Sequence, residues 1–159
     1  MKNLQIIAYF ILIIGSAFSQ NSGGPDTYGY TWYNSNHAQG PVFNWIDITS
    51  SGTQITGLSD DNSVAIISMA QPFHYYWSDY TQIKIGSNGW LSFDNVGNIA
   101  HCFPVIPTSA GAGDNYLAPF MSDLIFGAAI PSEAWYYDDL VNDRFIVSYI
   151  NVPWWSVNS

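Results

Sequence analysis

The stretch that most constrains this chain is residues 83–93, I-K-I-G-S-N-G-W-L-S-F. Ile83, Ile85, Leu91 and Phe93 alternate with Gln82, Lys84 and Ser92 on either side of Ser87-Asn88-Gly89. That is the period-two pattern of two half-buried strands. Asn-Gly supplies the positive φ angles a tight connection needs, so the stretch predicts a β-hairpin with Asn88 and Gly89 as its turn residues. A lone hairpin is marginal in water and needs further strands and a buried face.

Candidates for those strands lie on both sides. Tyr28, Tyr30 and Trp32 recur every second residue, and residues 42–48, V-F-N-W-I-D-I, resume after the Gly40-Pro41 break. Shorter candidates follow at 54–58, 64–69 and 73–77, where Pro72 removes a ladder donor and argues for an edge or a break. Beyond the hairpin, residues 96–114 are rich in Pro and Gly and read as loop. Residues 116–125 carry large apolar side chains around Pro119, which suits an edge or crossover strand and not a helix. Residues 135–137 and 144–150 form a second hairpin candidate around the acidic turn 138–143. Short strands at regular spacing with no amphipathic helical stretch predict an all-β fold, an antiparallel β-sandwich.

The first residues read as an address. Lys2 precedes an unbroken apolar run at 6–14, and Ala17 and Ser19 are small residues before Gln20, as in a cleaved secretory signal. The expected organisation is a signal peptide at 1–19, a flexible lead-in at 20–27 and one β-sandwich module at 28–159. The apolar run is short for a bilayer span, so no membrane insertion is expected after cleavage, and the product is expected to be secreted or held at the cell surface. The chain stops soon after one of its best strands, with Trp154 and Trp155 near the end. An uncovered aromatic edge is hazardous, so the expectation is a module truncated at its C-terminal edge; a tail folding back over the edge is the alternative.

Charge narrows the partners. With Lys2 removed, only Lys84 and Arg144 stand against 12 acids. Such a surface repels phosphate backbones and anionic headgroups, which excludes nucleic acid as a natural partner. Cys102 is the one cysteine, so no intrachain disulfide staples the fold.

Catalytic signals are weak. His37, His74 and His101 are isolated, and no nucleophile-elbow or zinc-protease motif occurs; no catalytic residue and no enzyme activity are expected. Calcium is the one cofactor left open, because Asp60 and Asp61, and separately Asp138, Asp139 and Asp143, gather hard oxygen ligands in turns. The same residues favour turns for their own backbone bonds. Adjacent aromatics in a strand point to opposite faces, so Trp77 and Trp155 are the candidates for stacking on a ligand.

Three stretches in order resemble the nidogen-type extracellular (NIDO) domain: Ser87-Asn88-Gly89-Trp90-Leu91-Ser92-Phe93, then Leu117-Ala118-Pro119-Phe120-Met121-Ser122-Asp123-Leu124, then Trp135-Tyr136-Tyr137 with the strand 144–150 and Asn151-Val152. Met121, Ser122 and Tyr149 depart from the residues frequent in that pattern. The resemblance implies a non-catalytic module for adhesion or for docking neighbouring domains, with a protein or a glycan as partner. Two alternatives accompany it: a carbohydrate-binding module using outward aromatics, and the leading domain of a secreted hydrolase.

Overall fold

The computed structural model describes residues 20–64, 66–94, 115–127 and 131–156. Residues 1–19, expected as a signal peptide, the loop expected within 96–114, and His101 and Cys102 lie outside the described residues. The described residues form nine strands and no helix, and the chain divides into two compact units, Met1–Asn44 and Trp45–Ser159.

In the first unit, β1 (Ser22–Gly23) pairs antiparallel with β2 (Trp32–Tyr33). The residues expected as a lead-in thus supply a short strand. Between the two, Asp26 Oδ1 accepts from the backbone N–H groups of Tyr28, Gly29 and Tyr30 at 3.0, 2.8 and 2.9 Å. One carboxylate thereby satisfies three consecutive donors and fixes the turn. The strand expected at 42–48 does not form: the segment joins no ladder, and Val42 and Phe43 are exposed. Apolar content alone selects no partner strand, and only paired backbone makes a strand stable.

The second unit holds two antiparallel sheets. One has the order β3-β8-β9, from Thr53–Ile55, Glu133–Asp139 and Arg144–Ile150; the other has the order β4-β5-β6-β7, from Ile67–Tyr75, Ser78–Ile85, Leu91–Ser92 and Tyr116–Leu117. One apolar cluster, Ile55, Ile85, Phe126 and Ala134, draws on strands of both sheets, as a sandwich core must. A second cluster, Met69, Ile83 and Phe93, lies under the longer strands. Ile83 and Ile85 are buried while Gln82 between strand and solvent is exposed, so the period-two reading of this stretch matches the pleat. Each fully buried Ile contributes about 1.5–3 kcal/mol.

Edge positions follow from the chemistry of the strands. β4 is an edge, and its register shifts between Ser68 and Phe73, around Pro72. β7 is the other edge of that sheet and is only two residues long; after it Pro119 and Phe120 turn the chain. At the C-terminal end, Trp154 bridges Leu124, the Ile125 N–H donates to the Pro153 carbonyl at 3.1 Å, and the Trp155 N–H donates to the Asp123 carbonyl at 2.8 Å. The tail therefore lies along residues 123–125 and satisfies their backbone.

Candidate functional site

The hairpin turn at 87–89 is the centre of a loop cluster. β5 and β6 pair Lys84 with Ser92 and Ile85 with Leu91, and the Gly86 N–H donates to the Trp90 carbonyl at 3.0 Å. Three residues therefore span the turn, and only Gly89 (φ +74°) takes a positive φ. This corrects the expectation that Asn88 shares the left-handed conformation: a three-residue connection needs one such residue, at its end.

Asn88 is freed for another task. Its side chain is fully buried; Nδ2 donates to Asp61 Oδ1 at 2.8 Å and Oδ1 accepts from the Leu124 N–H at 2.9 Å. Its carbonyl accepts from the Ser122 N–H at 3.2 Å. One amide thus joins the turn to two other segments.

The 59–63 loop is strapped to the same turn. Asn62 Oδ1 accepts from the Ser59 N–H and its Nδ2 donates to the Gly57 carbonyl, at 2.9 and 2.8 Å. The Asn62 N–H donates to Ser87 Oγ at 3.0 Å, and the Ser87 N–H returns a bond to the Asn62 carbonyl at 2.8 Å. Asp60 bridges Ile125. Four separate segments, near residues 60, 88, 123 and 154, are pinned together by these bonds.

The consequence is a group of three carboxylates. Oxygens of Asp60, Asp61 and Asp123 lie within 4.8 Å of one another. With Trp155 they line an open cleft of about 250 Å³. Burial first, and then the charges of Asp61 and Asp123, push the Asp60 carboxyl above the usual carboxylate range. Among the described residues these three are the group with the donor chemistry for a hard cation such as Ca²⁺. Asp123 was not recognisable as a site residue from the sequence alone; it stands out there only within the A-P-F-x-x-D-L stretch, and its approach to Asp60 depends on the pairing of the C-terminal tail.

The other acidic turn is arranged differently. Asp139 is buried and its carboxylate accepts from Asn142 Nδ2 at 3.0 and 2.9 Å and from Arg144 Nε at 2.7 Å. The Asn142 amide, with Arg144 after it, holds that carboxyl below the usual range against the effect of burial. Asp138 Oδ2 accepts from the Ala70 N–H at 2.5 Å, tying β8 to β4, and Asp143 takes φ +51° in the turn. These side chains hold the β8–β9 hairpin and its neighbour in place. Of the two stacking candidates, Trp155 joins the acidic cleft and Trp77 stands on the turn between β4 and β5; they belong to different elements.

One phenol also links the sheets. Tyr149 Oη, on β9, donates to the Gly86 carbonyl at the end of β5, at 2.7 Å, and burial pushes its pKa well up. Trp90 is fully buried with its indole against Gly86, where a Cβ would sit 2.0 Å from Cε2. The glycine is required for that close approach.

Fold and site together define an all-β module whose interlocked loops present carboxylates and an exposed indole to solvent. A family model described as NIDO related matches residues 32–158, and the chain belongs to that family. No curated protein and no solved structure matches it. NIDO-type domains are usually extracellular, and no helix among the described residues is long and apolar enough to cross a membrane.

Proposed function

We propose that the chain is a non-catalytic interaction module of an exported protein, and that it engages a protein partner at the cleft of Asp60, Asp61, Asp123 and Trp155. The observation that carries the reading is the rigid presentation of that cleft. Its backbone and its central amide are hydrogen-bonded through four segments, so little loop ordering remains to oppose binding. The chemistry it offers suits a Lys or Arg side chain: three carboxylates supply charge, and the Trp155 ring, 44% exposed, supplies a face for a cation.

The test is capture of protein partners from the surface of the producing cells by the exported chain, followed by cross-linking and mass identification. Capture should weaken as salt rises. It should be lost in the triple variant Asp60→Asn/Asp123→Asn/Trp155→Ala with circular dichroism unchanged. Capture indifferent to that variant would remove the cleft from the reading; turnover of a substrate that one substitution abolishes would remove the non-catalytic role.

A further inference from the structure

β4 ends at Tyr75 and β5 begins at Ser78, and these two residues are the last pair of the ladder. The connection is therefore Tyr76-Trp77 alone. Two-residue hairpin turns demand positive φ and favour Gly, Asn or Asp, which reach it at little steric cost. Here Tyr76 adopts φ +52°. The other non-glycine residues with positive φ among those described are Asp61, Asn115, Asp143 and Asn151, all of the types that visit this region readily. An aromatic side chain gains nothing from that conformation. The next residue, Trp77, is 75% exposed, so the largest apolar side chain in the repertoire is left in water beside it. Two locally unfavourable choices at one dipeptide need a compensating use, and strain of this kind concentrates where ligands are held.

The exposed ring is also held. Trp77 lies 5.7 Å from Tyr76 with the ring planes 31° apart. Tyr76 meets Tyr75 edge-on at 4.7 Å, and Tyr75 meets Phe93 at 5.1 Å. Phe93 is itself buried and stacks against Phe73 at 5.2 Å and Tyr80 at 4.9 Å. A continuous series of ring contacts runs from the core cluster to the tip. A ring fixed in this way binds at low entropic cost.

Composition selects the ligand. Residues 71–82, Q-P-F-H-Y-Y-W-S-D-Y-T-Q, contain no Leu, Ile, Val or Met and no Lys or Arg. A membrane-inserting tip draws on aliphatic anchors and cations alongside its aromatics; this tip offers aromatics interleaved with hydroxyls, amides and one carboxylate. On the other face of the hairpin His74 Nδ1 and Asp79 Oδ1 are 2.6 Å apart, both side chains more than half exposed. Flat rings suit the C–H face of a pyranose, and the polar groups suit its hydroxyls. The net charge of −9, more negative once Lys2 is removed, opposes anionic sugars.

We infer that the Tyr76-Trp77 tip binds a neutral hexopyranose unit of a polysaccharide, stacked on Trp77. This site rests on the chain being an interaction module and is independent of the acidic cleft. The experiment is affinity electrophoresis of the exported chain in gels containing hydroxyethylcellulose, galactomannan or dextran, with polygalacturonate as the anionic probe and phosphatidylcholine vesicles as the lipid probe. At least one neutral polysaccharide should retard the chain. Trp77→Ala should weaken that retardation by about tenfold or more, while Trp155→Ala leaves it unchanged. Tyr76→Gly relaxes the turn and removes one ring, so it should raise the urea midpoint and still weaken binding. No retardation by any of the three neutral polymers, retardation unaffected by Trp77→Ala in a folded chain, or binding only to polygalacturonate or to vesicles would each overturn the inference. Loss of cleft-dependent protein capture with glycan retardation intact would count against the cleft alone.

Discussion

Removing the Asn88 side chain tests the loop interlock directly. Asn88→Ala deletes the bond from Nδ2 to Asp61 and the bond that Oδ1 accepts from the Leu124 N–H. Asp61 is exposed, so water replaces its lost donor and the net cost there is about 1 kcal/mol. Leu124 is buried, and its N–H is left without a partner, which costs about 1–3 kcal/mol. The sum is about 2–4 kcal/mol, and with a urea m-value of about 2 kcal/mol/M the midpoint should fall by roughly 1–2 M. Asn88→Asp separates geometry from charge. Its new carboxylate still accepts from Leu124, but it faces Asp61, with Asp60 and Asp123 close by. The folded-state pKa of that carboxyl is therefore raised. Below its unfolded value, about 3.9, the protonated group donates to Asp61 and stability approaches that of the unaltered chain; as pH rises through the raised value that stability is lost. Urea titrations followed by tryptophan fluorescence at pH 4 and pH 7 measure both variants. An Asn88→Ala midpoint within experimental error of the parent, or an Asn88→Asp variant equally stable at both pH values relative to the parent, would refute the interlock.

Gly89→Ala should cost about 2–4 kcal/mol, because its Cβ would lie 2.1 Å from the Phe120 carbonyl oxygen at φ +74°. Gly57→Ala, at φ +89° with nothing within 4 Å, should cost only the conformational part, about 1–2 kcal/mol, so equal losses by chemical denaturation would contradict the crowding argument. Asp60→Asn should raise the urea midpoint at pH 7, since ionised Asp60 is disfavoured in the fold, and the gain should vanish below about pH 3.9; a gain that persists at low pH would point to a cause other than charge. For Asp139 the sign is opposite. Its lowered pKa contributes stability above its unfolded value that is lost as pH falls through the folded one, so Asp139→Asn should flatten the acid limb of the stability profile, read by circular dichroism from pH 7 to pH 2.

The strands that the sequence announces clearly are those whose own alternation matches burial. Residues 83–85 are of this kind, with Ile83 and Ile85 inside. On the return strand Ser92 is buried and Leu91 only half-buried, and the β8–β9 hairpin, which pairs seven residues on each side, is announced by its acidic turn, its buried residues being Ala134, Asp139 and Ser148. Pro72 marks an edge because its missing donor is a local fact. The failures are non-local. Residues 42–48 are as rich in large apolar residues as any strand, yet no ladder forms there, because pairing needs a second strand that composition alone does not identify. Asn88 reads as a turn residue, and its larger part is to accept from Leu124, 36 residues away. The acidic cleft was half visible: Asp60 and Asp61 stand out by adjacency, whereas Asp123 reaches them only through the bridge from Asp60 to Ile125 and the bond from Trp155 to its own carbonyl. Trp77 and Trp155 were both recognisable as outward aromatics, but not that one would sit on a strained turn and the other beside carboxylates.

The residues that carry the NIDO resemblance have a shared physical task. Asn88 and Gly89 come from the first stretch, and they meet Leu124 and the Phe120 carbonyl from the second. In the third stretch Tyr149, one of the departures from that pattern, returns to the Gly86 carbonyl just before the first. Each stretch therefore supplies one side of a contact that the others complete, and a substitution such as Met121, outside those contacts, leaves the interlock intact. A pattern of this kind specifies how the sandwich closes at one end and leaves the ligand unspecified. The chemistry that distinguishes this chain should lie where the pattern makes no demand: at the acids set around the interlock, and at the aromatic turn between β4 and β5, which belongs to none of the three stretches.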